Sequence, residues 1–265
     1  MGTLDGKVVV VTGASKGMGS HFVDALVAAG ARVACFARAS PELDAVVARH
    51  GDKTAAFPCD VSRVGEVDAA MAAAVEHFGR LDILVNNAAI FQPFLLEEAT
   101  PEQVESHVGV NLLGPIWCIR AAIPYLRASK GQIVTISSES VRMPFPFLTV
   151  YAATKAAVET LSRGLRDELR EHGIRVTVLR SGSVAGGSGG ASWDPVVAKR
   201  FFETIQRTGH AAFTGDFADP RSMAGTLVAV VSLPADVNID LVEARSAAAA
   251  NAGSLSRSGA HNSSS

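Results

Sequence analysis

The chain has 265 residues, with 48% apolar and 19% charged side chains, 24 glycines, and 24 Lys plus Arg against 26 Asp plus Glu for a formal net charge of -2. So even a balance leaves no electrostatic footprint for a phosphate backbone, and no apolar run approaches the roughly 20 residues that span a bilayer, so neither nucleic acid nor a membrane is expected as a partner. The first residues lack the pattern of an export signal, and Cys35, Cys59 and Cys118 form no Cys-x-x-Cys pair, which points to a reducing, cytoplasmic setting without disulfides or a zinc ribbon.

Short continuous apolar runs alternate with longer amphipathic stretches, as expected for strands buried on both faces and the helices that cover them. The pattern predicts strands at about 7–12, 31–36, 53–58, 81–85, 131–137, 174–180 and 237–243. Helices are predicted at about 17–29, 41–51, 63–78, 101–128, 152–172, 193–207 and 219–233, several opening on start signals such as Ser40-Pro41, Thr100-Pro101 and Asp219-Pro220. Such alternation forces parallel pairing through right-handed crossovers. The expected fold is therefore α/β, a single-domain doubly wound (Rossmann) parallel sheet of about seven strands with helices on both faces and ligands at the carboxyl ends of its strands. The domain is expected to occupy 1–245, and the Ser/Gly/Ala-rich remainder, 246–265, to be a flexible tail, because it has too few large apolar groups to offset its ordering entropy.

The first strand, Val8 to Val11, runs through Thr12 into Gly13-Ala14-Ser15-Lys16-Gly17-Met18-Gly19, and a helical pattern follows at once. A glycine-rich turn opening a helix presents backbone N–H groups and the positive helix end to an anion, here the pyrophosphate of a dinucleotide. Gly13 and Gly17 would let backbone approach the phosphates, and Gly19 would allow close helix-to-sheet packing. The G-x-x-x-G-x-G spacing resembles the Thr-Gly-x-x-x-Gly-x-Gly form of the short-chain dehydrogenase/reductase family. Further matches follow in order: Asp60-Val61 after the third strand, Asn86-Asn87-Ala88-Ala89 after the fourth, where the family usually has Asn-Asn-Ala-Gly, and Asn111 in the next long helix. The family-like stretch runs from about 6 to 185. It implies a nicotinamide cofactor held by the glycine turn with Ser15, Lys16 and Met18, by Asp60 and Val61 near the adenine, and by Asn87, Ala88 and Ala89.

An NAD site places a carboxylate at the end of the second strand, to bind the adenosine ribose hydroxyls. That position here is Ala37, followed by Arg38. Arg38 and Lys16 could both reach a 2′-phosphate, and charge-assisted hydrogen bonds of that kind are worth roughly 1.5–3 kcal/mol each. NADP(H) is therefore expected in preference to NAD(H), the alternative being that both are solvated surface charges.

Tyr151 and Lys155 form a Tyr-x-x-x-Lys pair whose i, i+4 spacing puts both on one helical face. Ser138 stands thirteen residues before Tyr151, at the carboxyl end of the fifth strand, where strand ends and the next helix start converge. Asn111, Ser138, Tyr151 and Lys155 look like the family's complete catalytic tetrad. Reducing a ketone develops negative charge on oxygen that must be stabilised and protonated. Tyr151 would be the general acid, its pKa lowered by the Lys155 ammonium, and Ser138 would hold the carbonyl oxygen. Asn111 would anchor a water leading to Lys155, which by the same resemblance binds the nicotinamide ribose.

After the sixth strand Ser181-Gly182-Ser183-Val184 keeps the family's shape with Ser181 in place of the usual Pro, and Gly182 and Val184 are expected at the cofactor. The glycines of Gly186-Gly187-Ser188-Gly189-Gly190 suit a hinge for a substrate lid at about 187–208, or a disordered linker. Substrate walls are expected from Ile90, Phe91 and Phe94, from Val141, Met143, Phe145 and Phe147, and from Trp193, though a core role fits each equally well; Glu139 and Arg142 could read a polar substituent or lie in solvent. Such walls suit a small to medium, mainly apolar carbonyl compound or alcohol. Alanines in the helices of Asn111 and Tyr151 suit a homodimer or homotetramer, or internal packing. The seven histidines show no ligand spacing, so no metal site is expected. The resulting expectation is an NADPH-dependent ketoreductase. Alternatives in the same fold are oxidation, epimerisation or dehydration of a biosynthetic intermediate, and outside catalysis a dinucleotide-sensing protein.

Overall fold

The computed structural model describes residues 2–186 and 193–247. Its strands are β1 (Val8–Thr12), β2 (Arg32–Ala37), β3 (Thr54–Pro58), β4 (Ile83–Asn86), β5 (Gln132–Ser138), β6 (Arg175–Ser181) and β7 (Leu241–Ala244). They form one seven-stranded sheet in the order β3-β2-β1-β4-β5-β6-β7. Every neighbouring pair is parallel. The order reverses at β1, where chain order leads outward first through β2 and β3 and then through β4 to β7, and ligands of such sheets bind in that crevice.

The helices are α1 (Met18–Ala28), α2 (Pro41–Ala48), α3 (Val64–Phe78), α4 (Pro101–Val108), α5 (Gly114–Ser129), α6 (Thr149–Leu169), α7 (Pro195–Arg207), α8 (His210–Thr214) and α9 (Pro220–Val231). The predicted start signals act as caps: the Ser40 side chain accepts from Leu43, Thr100 and Gln103 form a capping box, and Asp219 accepts from Arg221. One core joins the sheet to α1 and α9 through Phe22, Leu26, Met223 and Leu227. The opposite face carries Met71, Cys118, Leu126 and Leu165 from α3, α5 and α6. Full burial of each large side chain contributes roughly 1.5–3 kcal/mol.

Three elements differ from the sequence pattern. The long helix predicted at about 101–128 is interrupted by a π-helical turn over Gly109–Leu113. Pro115 explains the break, because it has no N–H to give the carbonyl four residues back, which is that of Asn111. β7 begins later than the pattern suggested, since the Asn238 side chain takes up the backbone of Val176: its Oδ1 accepts from Val176 N at 3.0 Å. The short α8 was not foreseen; Gly209, at φ 80, turns the chain into it. Of the expected lid at about 187–208, residues 187–192 lie outside the described residues, with the hinge glycines after Gly186, and so does the expected tail from 248 on; the described part of the lid is Trp193, Asp194 and α7.

Candidate active site

Most residues expected at the cofactor sit in the loops that follow β1, β2, β3, β4 and β6; Met18 and Gly19 open α1, and Tyr151 and Lys155 lie in α6. Gly17 is the N-cap of α1 at φ 58; the helix has no side-chain cap and no acidic residue in its first turn, so its positive end stays available to an anion. A Cβ on Gly19 would overlap the Gly13 carbonyl and approach Asn87 Nδ2 to 2.8 Å, the close packing the sequence implied. Gly13, at φ 65, serves a different contact from the expected phosphate approach: its missing Cβ makes room for the Ala88 backbone, 2.9 Å from where that atom would stand. Asn87 locks the two loops together, Nδ2 donating to the Thr12 carbonyl at 2.9 Å while Thr12 Oγ1 accepts from Asn87 N at 3.0 Å and Ala88 N at 2.9 Å. Ser15 is half-buried and Ala89 exposed on the same rim.

At the adenosine end Ala37 is buried, while Lys16 and Arg38 are exposed. The Asp60 carboxylate accepts from Ser62 N at 2.9 Å and Ser62 Oγ at 2.7 Å. Burial opposes its ionisation, but these bonds and the charges of Arg38 and Arg63 outweigh it and hold Asp60 below the usual carboxylate range. Val61 is buried against Gly114, where an added Cβ would come within 2.9 Å of Val61 Cγ2.

Ser138 ends β5, while Tyr151 and Lys155 lie one turn apart in α6. With Met18, Asn87 and Gly182 they line a cavity of about 100 Å³. Ser181 lines it too, its hydroxyl 3.8 Å from Met18 Sδ, so the residue in place of Pro is part of the wall. A wider, open hollow of about 450 Å³ lies by His21, Phe217 and Asp219. It contains none of Asn111, Ser138, Tyr151 and Lys155, and its Asp219 is spent on capping α9 and pairing with Arg221 at 3.0 Å. Among the described residues no group of three or more His, Cys, Asp or Glu could hold a metal ion.

Asn111 is buried, and its amide is fully engaged. Oδ1 accepts from Ile90 N at 2.8 Å, and Nδ2 donates to Ile90 O at 2.9 Å and to Thr154 Oγ1 at 3.3 Å. Its side chain thus fixes the loop after β4 against α6, a task sequence reasoning missed along with Thr154.

Lys155 Nζ donates to the Ile136 carbonyl at 2.8 Å and stands 5.8 Å from the centroid of the Tyr151 ring. Burial pushes the Tyr151 phenol up to about 12, with the Glu139 charge adding to the rise and a Ser138 hydrogen bond opposing it. This reverses the expected lowering by Lys155, because desolvation of the phenolate outweighs the partners that favour it. Burial pulls Lys155 down to about 8 from 10.5. Between those values the unfolded chain keeps a proton on Lys155 that the folded protein has released, so the contribution of this residue to stability rises with pH across that window, by up to about 3 kcal/mol. The buried cysteines, whose thiols are pushed up, act in the opposite sense in parent and variant alike, so denaturant titrations of the cofactor-free parent and of Lys155→Met at both ends of the window should show the stability difference between the two proteins shift by that amount in favour of the parent at the alkaline end.

An aromatic cluster packs beside Tyr151. Phe91 meets Tyr151 edge-on at 4.8 Å, Trp193 lies 5.1 Å from Phe91, and Trp193 Nε1 donates to the Phe91 carbonyl at 2.8 Å. Phe201 of α7 backs Trp193 at 5.3 Å. Of the other expected wall residues, Met143 is half-buried, while Phe145 packs on His210 at 5.3 Å and Phe147 on Phe201, which makes both part of the core beneath α7 and α8. Phe94 turns away to His107 at 5.2 Å. Arg142 is exposed and pairs with Glu243 at 3.0 Å. Glu139 does not lie in solvent but is buried, accepting from Thr214 and Ser183. Val184 is bridged to Ala218 beside the cavity mouth.

The model of the short-chain dehydrogenase family matches residues 7–194. An uncharacterised oxidoreductase of Methylorubrum extorquens is 39% identical over 188 residues, covering 69% of this chain and 75% of its own. Among solved structures, an alcohol dehydrogenase of Thermococcus sibiricus complexed with 5-hydroxy-NADP has a TM-score of 0.76 at 26% identity, covering 91% of this chain and 97% of that one. A 3-ketoacyl-(acyl-carrier-protein) reductase of Brucella melitensis complexed with NADH has a TM-score of 0.78 at 28% identity, covering 91% and 98%.

Proposed function

The chain belongs to the short-chain dehydrogenase family, and from that membership we propose that it is an NADPH-dependent ketoreductase acting on a small to medium, largely apolar carbonyl compound. As a member it is an oxidoreductase that uses a nicotinamide dinucleotide and a small-molecule alcohol or ketone. What carries the finer reading is the convergence of Ser138, Tyr151 and Lys155 on one cavity that reaches Met18 and Gly182.

The residues fit the cofactor. The uncapped start of α1, the glycine cradle and the rim after β4 suit its phosphates and ribose, and the small cavity suits the nicotinamide end. When bound, the reduced nicotinamide supplies hydride to the carbonyl carbon. Ser138 holds the carbonyl oxygen, Tyr151 delivers its phenolic proton to the developing alkoxide, and Lys155 restores that proton. Since the Asn111 amide is occupied, we assign the water that feeds Lys155 to the Asn111 carbonyl, which Pro115 deprives of its α-helical donor. Phe91 and Trp193 exclude bulk water from the reacting oxygen.

The preference for NADPH rests on Ala37 in place of a carboxylate and on the exposed Lys16 and Arg38. Lys16→Ala and Arg38→Ala are each expected to weaken NADPH by about tenfold or more and to leave NADH nearly unchanged. Fluorescence titration with both cofactors measures this, and a parent protein that binds NADH more tightly would overturn the assignment. A ketone panel followed by NADPH oxidation tests the reaction itself.

Ala122 and Ala152 are spent inside the subunit, but Ala121, Ala153, Ala156 and Ala157 keep exposure on α5 and α6, which supports pairing of two copies there. No helix among the described residues is long and apolar enough to cross a membrane. The three cysteines are buried and free, with burial pushing the Cys35 and Cys59 thiols up to about 12, which fits the reducing cytoplasm we propose.

A further inference from the structure

We propose that Glu139 reads a hydroxyl group that the substrate carries beside its reacting carbonyl, so that α-hydroxy ketones are preferred to plain ketones. This rests on the ketoreductase reading above and narrows its substrate class. Glu139 follows Ser138 directly, opens a single 3-10 turn, and is only 4% exposed. One carboxylate oxygen is satisfied: Oε1 accepts from Thr214 Oγ1 at 3.1 Å and from Ser183 Oγ at 3.3 Å. The other, Oε2, is buried and has no hydrogen-bond partner among the described residues. A buried polar atom left in that state is costly, and it marks a place where a further group binds.

The position of Oε2 says which group. It lies against Gly182, 3.3 Å from where a Cβ would stand, and Gly182 lines the catalytic cavity together with Ser138. Glu139 itself stands behind the cavity wall, next in sequence to Ser138, and its charge adds to the rise of the Tyr151 phenol. A Cβ on Gly182 would also come within 2.5 Å of Arg245 Cβ, so only glycine fits beside the carboxylate. The groups that face it are Thr214 from α8, Ser183 from the loop after β6, Arg245 after β7, and Tyr151 from α6. Burial raises the Glu139 pKa against the Thr214 and Ser183 hydroxyls, Arg245 and the Ser183 backbone N–H, which lower it. A substrate hydroxyl suits that environment in either protonation state, since it donates to a carboxylate and accepts from a carboxylic acid. An ammonium group would suit only the ionised form and would be repelled by Arg245.

The test compares α-hydroxyacetophenone with acetophenone, a pair that differs by the hydroxyl and keeps a phenyl ring for the Phe91 and Trp193 wall. With NADPH the parent should favour the hydroxy ketone by about tenfold or more in kcat/KM. With NADP⁺, which cannot reduce either ketone, calorimetry should show a similar preference in Kd. Glu139→Leu should bring both ratios to about one, whatever the absolute rates. Glu139→Gln, close in shape and able to keep the Thr214 and Ser183 bonds, should fold like the parent and retain a reduced preference, because the charge assistance is lost. Parental ratios in either variant would overturn the inference. A parent that reduces both ketones equally sinks the hydroxyl inference and leaves the ketoreductase reading standing. A parent that reduces neither sinks that reading, and the inference with it.

Discussion

Tyr151→Phe is expected to lower kcat for ketone reduction by about 10²–10⁴-fold, the range that a positioned general acid supplies. The substitution removes one oxygen and keeps the ring, so the edge-on contact with Phe91 at 4.8 Å and the packing beneath Lys155 persist. NADPH affinity should therefore change by less than about tenfold, and the loss should fall on the chemical step. Stopped-flow NADPH oxidation, set against a fluorescence titration of the same variant, separates the two. A variant retaining about a tenth or more of parental kcat would exclude Tyr151 as the acid. With the phenol pushed up to about 12, the acid stays protonated through the neutral range, so it does not limit reduction until strongly alkaline pH. Oxidation of the alcohol needs the phenolate, so its rate should climb with pH over the same range.

The fold was legible because parallel strands buried on both faces read as short apolar runs, and each expected strand pairs in the sheet. The convergence of Ser138, Tyr151 and Lys155 was legible because a Tyr-x-x-x-Lys on a helix and a Ser at a strand end are local patterns that the topology then brings to one edge. What stayed hidden was decided by tertiary partners. Nothing near Asn238 in sequence shows that its side chain will take the place of strand backbone beside Val176. The engagement of the Asn111 amide needs Ile90 and Thr154, which are distant in sequence from it and from each other. The turn at Pro115 did carry a signal, since a Gly-Pro pair inside a helical pattern removes a donor, and its position fixes which carbonyl is affected. Glu139 and Arg142 look alike in sequence, two charged residues at the start of one loop; one is buried by α8 and the other is drawn to β7.

The remaining large effect lies one turn beyond Lys155. Glu159 continues the face of α6 that carries Tyr151 and Lys155, and it is buried against β6, where Arg180 binds it with two bonds, Nε to Oε1 at 2.9 Å and Nη2 to Oε2 at 2.7 Å. Ser137 Oγ donates to the same carboxylate at 2.7 Å, and Arg180 reaches Glu243 at 3.0 Å, which also holds Arg142. Side-chain exposures of 9% for Glu159 and 12% for Arg180 leave little water to compensate a lost partner. Arg180→Met alone is therefore expected to cost about 3–5 kcal/mol, because it leaves the Glu159 carboxylate buried without a cation, and Glu159→Leu is expected to cost less, because Arg180 keeps Glu243. The double variant should recover much of that loss, since replacing both charges removes the desolvation cost as well as the attraction. Denaturant unfolding of the four proteins gives the coupling directly, and single variants within about 1 kcal/mol of the parent would show that solvent screens the pair. Because Ser137 precedes Ser138 and Glu159 lies one turn past Lys155, the single variants should also lose activity more steeply than stability, and the double variant should regain stability before it regains rate.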